Sequence, residues 1–130
     1  MNVWIVSSVP QLRESLHALL TTCPEVTAIH TFGEIVHPWP RSALADRLGT
    51  PDLIVVSEEA LRHEPSCCIG AVKGHFPRAR CLALLKDAQH RVTWERAGVD
   101  EVLIQGWAAE RLMRHLRAWM ADRGRNGPQM

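Results

Sequence analysis

Histidine and cysteine are the side chains of this sequence most often used for metal binding and redox chemistry. The seven histidines include no HxxxH pair, and the four cysteines include no pair two residues apart. Such spacings are typical of zinc sites, so we expect no metal and no cofactor. Cys67 and Cys68 could form a strained vicinal disulfide, which leaves a redox or small-molecule sensor as the least supported interpretation.

Hydroxyl and amide side chains come at or just after the ends of several short apolar runs. These run ends could form a binding site other than a metal or redox site. Ser7 and Ser8 follow the run at residues 3–6, and Ser57 follows the run at 53–56. If these runs are parallel strands, their carboxyl ends meet at the edge of the sheet where such folds bind ligands. The residues that we expect to find together there are Ser7, Ser8, Ser57, Leu85 and Gln105.

This group of side chains is neutral and contains no base. A serine hydroxyl ionises far above neutral pH, and neither His nor Lys occupies these positions. Serine oxygens also bind Mg²⁺ poorly without an anionic partner. Glu58 and Glu59 follow Ser57 and could hold a cation instead, but adjacent loop residues seldom converge on one ion. We therefore expect no catalytic residue and no enzymatic activity.

Apolar runs alternate with amphipathic stretches along the chain, and this alternation predicts the elements that carry these residues. Leucines between Leu12 and Leu20 recur at helical spacing, and Ser8 followed by Gln11 is typical of a capped helix start. Strands are predicted at 3–6, 26–32, 53–56, 81–85 and 101–104, and the later helices at 42–48, 67–75, 89–97 and 108–123. Alternating apolar strands and helices indicate an open, doubly wound α/β domain around a five-stranded parallel sheet.

Composition and charge restrict the classes of function. A chain of 130 residues that is 46% hydrophobic forms one globular domain, which we place at residues 1–123, with a flexible tail at 124–130. The net charge of +1 provides no field that would attract nucleic acid or an anionic membrane. No apolar run is long enough to span a bilayer, and the first residues do not resemble a signal peptide. We expect a cytoplasmic protein with no membrane partner and no direct nucleic-acid partner.

Four segments, in order, resemble the receiver domain of bacterial two-component response regulators. They are residues 5–16, 51–57, 76–85 and 97–105. The resemblance extends over about residues 3–120, and each segment corresponds to a strand with its approach or its following helix. It implies the flavodoxin-like (CheY-like) (βα)5 fold with strand order 2-1-3-4-5.

The resemblance also implies a phosphorylation pocket whose reactive groups are missing. The paired acids that hold Mg²⁺ in the family fall on Ser7 and Ser8, and the phosphoacceptor aspartate falls on Ser57. The conserved hydroxyl residue falls on Leu85, and the lysine falls on Gln105. Aspartyl phosphorylation needs a carboxylate nucleophile, a hard cation and a group that takes up charge.

We therefore predict a degenerate, phosphorylation-independent pseudo-receiver. It would be a protein–protein interaction module in signal transduction or transcriptional regulation. The alternative is a phosphoacceptor response regulator in a phosphorelay, using Ser57 or one of Glu58 and Glu59 as a non-standard acceptor.

The resemblance places the interaction surface on the fourth helix, fifth strand and fifth helix. Tryptophan is the residue type most enriched at interface hot spots, and we predict that Trp94 is partly exposed there beside a basic residue. The family's switch aromatic falls on Val102. The predicted surface consists of Trp94, Val102, Trp107, Arg111 and Arg114. The expected partner is another signalling protein or a second copy of this chain.

Overall fold

The computed structural model describes residues 1–33, 43–60 and 65–104, together with Arg114, Arg117 and Ala118, which are helical and exposed. Most of the predicted fifth helix and the whole predicted tail lie outside these residues. No described helix has the length and apolar character needed to cross a membrane. The described elements are β1 (Asn2–Val6), α1 (Pro10–Thr21), β2 (Ala28–Phe32), α2 (Ala43–Leu48), β3 (Leu53–Ser57), a 3₁₀ turn (Glu58–Ala60), α3 (Pro65–His75), β4 (Arg80–Leu85), a second 3₁₀ turn (Ala88–His90), α4 (Arg91–Ala97) and β5 (Glu101–Ile104).

The five strands form one parallel sheet in the order β2-β1-β3-β4-β5. The predicted fold class and strand order are therefore confirmed. All five residues of β3 are buried, as expected for a central strand that helices cover on both faces. The register pairs Val6 of β1 with Val56 of β3, and Ser57 of β3 with Leu84 of β4. The carboxyl ends of these three strands consequently lie side by side.

Each face of the sheet has its own hydrophobic core. Val3 and Ile5 belong to the core that includes Leu16 and Leu20 of α1. Trp4 and Val6 alternate with them and belong to the core that includes residues of α3 and α4. This alternation follows from the two-residue period of a strand. Side chains two residues apart at a strand end therefore share a face.

The predicted fourth helix is shorter than expected because the chain first forms a 3₁₀ turn. The Asp87 carboxylate accepts a hydrogen bond from the Gln89 N–H at 2.9 Å and caps this turn, and α4 begins only at Arg91. The helix ends at Gly98, whose φ of 109° lies in the left-handed region that favours glycine. Within the described residues, the other predicted boundaries lie within about two residues of the observed ones, and those of the predicted fifth helix lie outside the described part.

Candidate functional site

The structure brings three of the five predicted pocket residues to the carboxyl edge of adjacent strands. Ser7 follows β1 directly, Ser57 is the last residue of β3, and Leu85 is the last residue of β4. All three are buried, whereas Ser8 is half-buried. Gln105 comes directly after β5 but lies outside the described residues.

Backbone and side-chain bonds hold the loop between β1 and α1 around Ser7. The Ser7 N–H donates to the Phe32 carbonyl at 2.9 Å, and the Ser7 Oγ accepts from the Val9 N–H at 3.2 Å. From α1, the Arg13 Nη1 donates to the Ser7 carbonyl at 2.9 Å. The Arg13 guanidinium therefore contacts the backbone of Ser7, one of the two positions where the family resemblance places an acid.

The expected capping role of Ser8 is wrong. Helix α1 begins at Pro10, its N-cap residue is Val9, and Val9 makes no side-chain capping bond within the described residues. Ser8 lies one residue too early to cap this helix. Its Oγ donates instead to the Glu59 carbonyl at 3.1 Å, which ties the β1–α1 loop to the Glu58–Ala60 turn.

Ser57 carries a buried hydroxyl whose oxygen has no hydrogen-bond partner among the residues that the structure describes. The residue is 1% exposed. By strand alternation its side chain lies on the same sheet face as Val55, which belongs to the core that includes α1 residues. An unsatisfied buried hydroxyl costs roughly 1–3 kcal/mol. We therefore expect the Ser57 hydroxyl, which lies where the resemblance places the phosphoacceptor, to lower the free energy of unfolding.

The carboxylate of Glu58 contacts the loop that follows β4. Its Oε1 accepts from the Lys86 N–H at 3.3 Å, and its Oε2 lies 2.6 Å from the His90 Nδ1. The Glu58 side chain is 20% exposed. This acid therefore bridges the end of β3 and the start of the α4 region.

The side chains at this edge do not fit Mg²⁺. Ser7 and Ser8 are neutral, and the Ser8 hydroxyl already bonds to the Glu59 carbonyl. The nearby Glu58 carboxylate bonds to a backbone N–H and an imidazole, whereas Mg²⁺ requires an octahedron of oxygen ligands that includes one or two carboxylates. Across the described ranges, no group of three or more His, Cys, Asp and Glu side chains could hold a metal ion.

The prediction that Trp94 is partly exposed is wrong, because Trp94 is 1% exposed. It belongs to the same buried cluster as Leu85 and Val102. In the resemblance, Val102 stands where the family has its switch aromatic. Val102 is buried as well and is not a surface residue.

Of the remaining residues predicted for the interaction surface, the structure describes one. Arg114 is helical and exposed, whereas Trp107 and Arg111 lie outside the described residues. The sequence reasoning missed Val92 of α4, which is 58% exposed. Val92 lies two residues before the buried Trp94, and positions two apart on a helix do not share a face. The spacing identifies Val92 as a surface residue only once the burial of Trp94 is known, so the sequence alone carried no signal for it.

The cysteines that the structure describes are buried thiols. Cys23, Cys68 and Cys81 are buried, and the side chain of Cys67 lies outside the described part. Burial raises the pKa of the Cys81 thiol to about 11, and it also raises the pKa of the Cys23 thiol. A raised pKa disfavours the reactive thiolate at neutral pH.

Solved structures with the same architecture come from several bacteria. A putative pilus assembly-related protein from Burkholderia pseudomallei superposes with a TM-score of 0.73 and 22% identity over 91% of this chain and 87% of that one. The isolated REC domain of RcsB from Salmonella enterica serovar Typhimurium, in the presence of phosphomimetic BeF3⁻, has a TM-score of 0.73 and 15% identity over 93% and 88%.

A third match is the complex of the CheA3 P1 domain with CheY6 from R. sphaeroides, with a TM-score of 0.69 and 22% identity over 92% of this chain and 96% of that chain. No protein-family model and no curated protein matches the sequence. Identities this low carry information about the fold alone. The chain has the fold of CheY-like receiver domains.

Proposed function

We propose that this chain is a phosphorylation-independent pseudo-receiver that acts as a protein–protein interaction module in signal transduction or transcriptional regulation. In this role the fold is a platform for binding, and the chain catalyses no reaction. The observation that carries the proposal is the buried, neutral Ser57 at the position where the resemblance expects the phosphoacceptor.

The bonding at the carboxyl edge supports this proposal over a non-standard phosphoacceptor. A phosphoacceptor must be accessible to the donor, and the oxygen of the Ser57 hydroxyl is buried. Phosphoryl transfer also depends on a cation and on positioned charge, but the neighbouring Ser7 and Ser8 are neutral. The Glu58 carboxylate bonds to Lys86 and His90 and would have to leave both before attacking a phosphoryl group.

The proposed partner is another signalling protein or a second copy of this chain. A receiver-fold match comes from a complex with the CheA3 P1 domain, which shows that another protein of this fold takes part in a signalling complex. Another match is described as a putative pilus assembly-related protein, so the partner need not be a kinase or a transcription factor. We keep the expectation of a cytoplasmic protein that binds neither membranes nor nucleic acid directly.

Binding of beryllofluoride with Mg²⁺, followed by fluorine NMR, tests the proposal against the phosphoacceptor alternative. The REC domain of RcsB is the positive control because its structure was determined in the presence of BeF3⁻. We expect no protein-bound fluorine signal for this chain at millimolar Mg²⁺, because no anionic cage binds the cation. A bound signal that disappears in Ser57→Ala or in Glu58→Gln would contradict the proposal and identify the acceptor.

The homodimer form of the proposal is tested by sedimentation of the wild type beside two surface variants. Val92→Asp changes an exposed residue of α4, and Arg114→Glu changes an exposed helical residue within the predicted fifth helix. If this face joins two copies, both variants should sediment as monomers at concentrations where the wild type is dimeric. A wild type that is monomeric at all concentrations would exclude the homodimer and leave the partner as a different protein.

A further inference from the structure

We propose that the Glu58–Ala60 turn is a built-in clamp that holds the loop after β4 in one arrangement without a metal ion or a phosphoryl group. This inference rests on the proposed function and explains how such a domain keeps a fixed binding face. The clamp joins the ends of β1, β3 and β4, the strands on which the resemblance places the family's acid pair, acceptor and hydroxyl residue.

The first half of the clamp is the Glu58 carboxylate. It accepts from the Lys86 N–H at 3.3 Å and lies 2.6 Å from the His90 Nδ1. Glu58 follows the acceptor position directly, and Lys86 follows the position of the family's hydroxyl residue. The carboxylate therefore connects the turn after β3 to the loop after β4, at the two strand ends where the resemblance places the acceptor and the hydroxyl residue.

The second half of the clamp fixes the turn from the other side. The Ser8 Oγ donates to the Glu59 carbonyl at 3.1 Å, so the β1–α1 loop holds the same turn that carries Glu58. Ala60, the last residue of the turn, is fully buried and belongs to the core that includes α3 and α4 residues. A buried anchor and three side-chain bonds give the turn few ways to move.

From the described residues, the loop that the clamp holds receives little other support. Lys86 to His90 are all exposed, and the Asp87 carboxylate caps the 3₁₀ turn only locally, through the Gln89 N–H at 2.9 Å. This loop leads directly into α4. Glu58 therefore holds the segment that leads into α4, whereas the buried Trp94 anchors the helix itself.

Amide hydrogen exchange of the full chain, measured residue by residue, tests the clamp without a partner or a phosphoryl donor. Losing a hydrogen bond to a charged group should increase the exchange rate of the Lys86 amide about tenfold in Glu58→Ala. Glu58→Gln should retain most of the protection, because its Oε1 still accepts. The Asp100 amide, which donates to the Cys81 carbonyl at 2.9 Å, is the internal reference for an intact fold.

Glu95→Ala is the matched control because it removes an exposed carboxylate that pairs with Arg91 within α4. It should leave the exchange of Lys86 unchanged. An unchanged Lys86 rate in Glu58→Ala, with Asp100 still protected, would overturn the clamp. A bound beryllofluoride signal would instead refute the proposed function, so the two failures are distinguishable.

Discussion

Replacing Trp94 with alanine should destabilise the domain and leave its association unchanged. The indole is 1% exposed and belongs to the buried cluster that also contains Leu85 and Val102. Burial of roughly 200 Å² of aromatic surface at about 25 cal/mol per Å² gives an upper value of about 5 kcal/mol. Truncations of this kind cost about 3–5 kcal/mol, a large part of the roughly 5–15 kcal/mol that stabilises a domain.

Urea unfolding followed by far-ultraviolet circular dichroism measures this loss of free energy. The matched control is Val92→Ala on the same helix, where the side chain is 58% exposed and the change should stay within about 0.5 kcal/mol. Sedimentation of Trp94→Ala under native conditions should give the wild-type association state. A variant that loses less than about 1 kcal/mol but fails to associate would refute the assignment of Trp94 to the core.

Three further predictions concern single residues. Ser57→Ala removes a buried hydroxyl whose oxygen has no described partner and should raise the free energy of unfolding by about 1 kcal/mol, as measured in urea; a destabilised variant would reveal a bond to the hydroxyl. Gly70→Ala should stabilise α3 by about 0.5–1 kcal/mol, because an added Cβ meets nothing within 4 Å. Gly98→Ala should destabilise the domain, because alanine is strained at a φ of 109°. Melting temperatures that shift in the same direction for both variants would contradict this. Burial raises the pKa of Cys81 from 9.0 to about 11, so folding favours the neutral thiol. The free energy of unfolding should therefore keep its full value below pH 9 and fall by about 2–3 kcal/mol as the pH rises to 11. Cys81→Ala should show a weaker decline, and an identical decline would argue against burial of the thiol.

Local sequence patterns predicted the strands of the sheet, and the resemblance to receiver domains implied their order. The continuous apolar run of β3 and the leucine spacing of α1 each depend on neighbours in sequence, so hydrophobic periodicity identifies them. The positions of Ser7 and Ser57 at one edge then follow from parallel strands in the order observed.

The bonds made by the site residues depend on contacts between distant parts of the chain. Ser8 bonds to the Glu59 carbonyl across 51 residues, and Glu58 contacts His90 across 32 residues. A capping pattern weighs only the residues near the helix start, so it assigned Ser8 a local role. The burial of Trp94 likewise depends on the volumes of side chains in β4 and β5, which no spacing within α4 encodes.

Intact-mass measurement after incubation with acetyl phosphate and Mg²⁺ tests the central claim most directly. Wild type and Ser57→Asp should both keep their unmodified masses, because one restored carboxylate still lacks the acid pair at Ser7 and Ser8 and the lysine at Gln105. The REC domain of RcsB, treated in parallel, serves as the reference receiver. A labile addition of one phosphoryl group to the wild-type chain would contradict a phosphorylation-independent role.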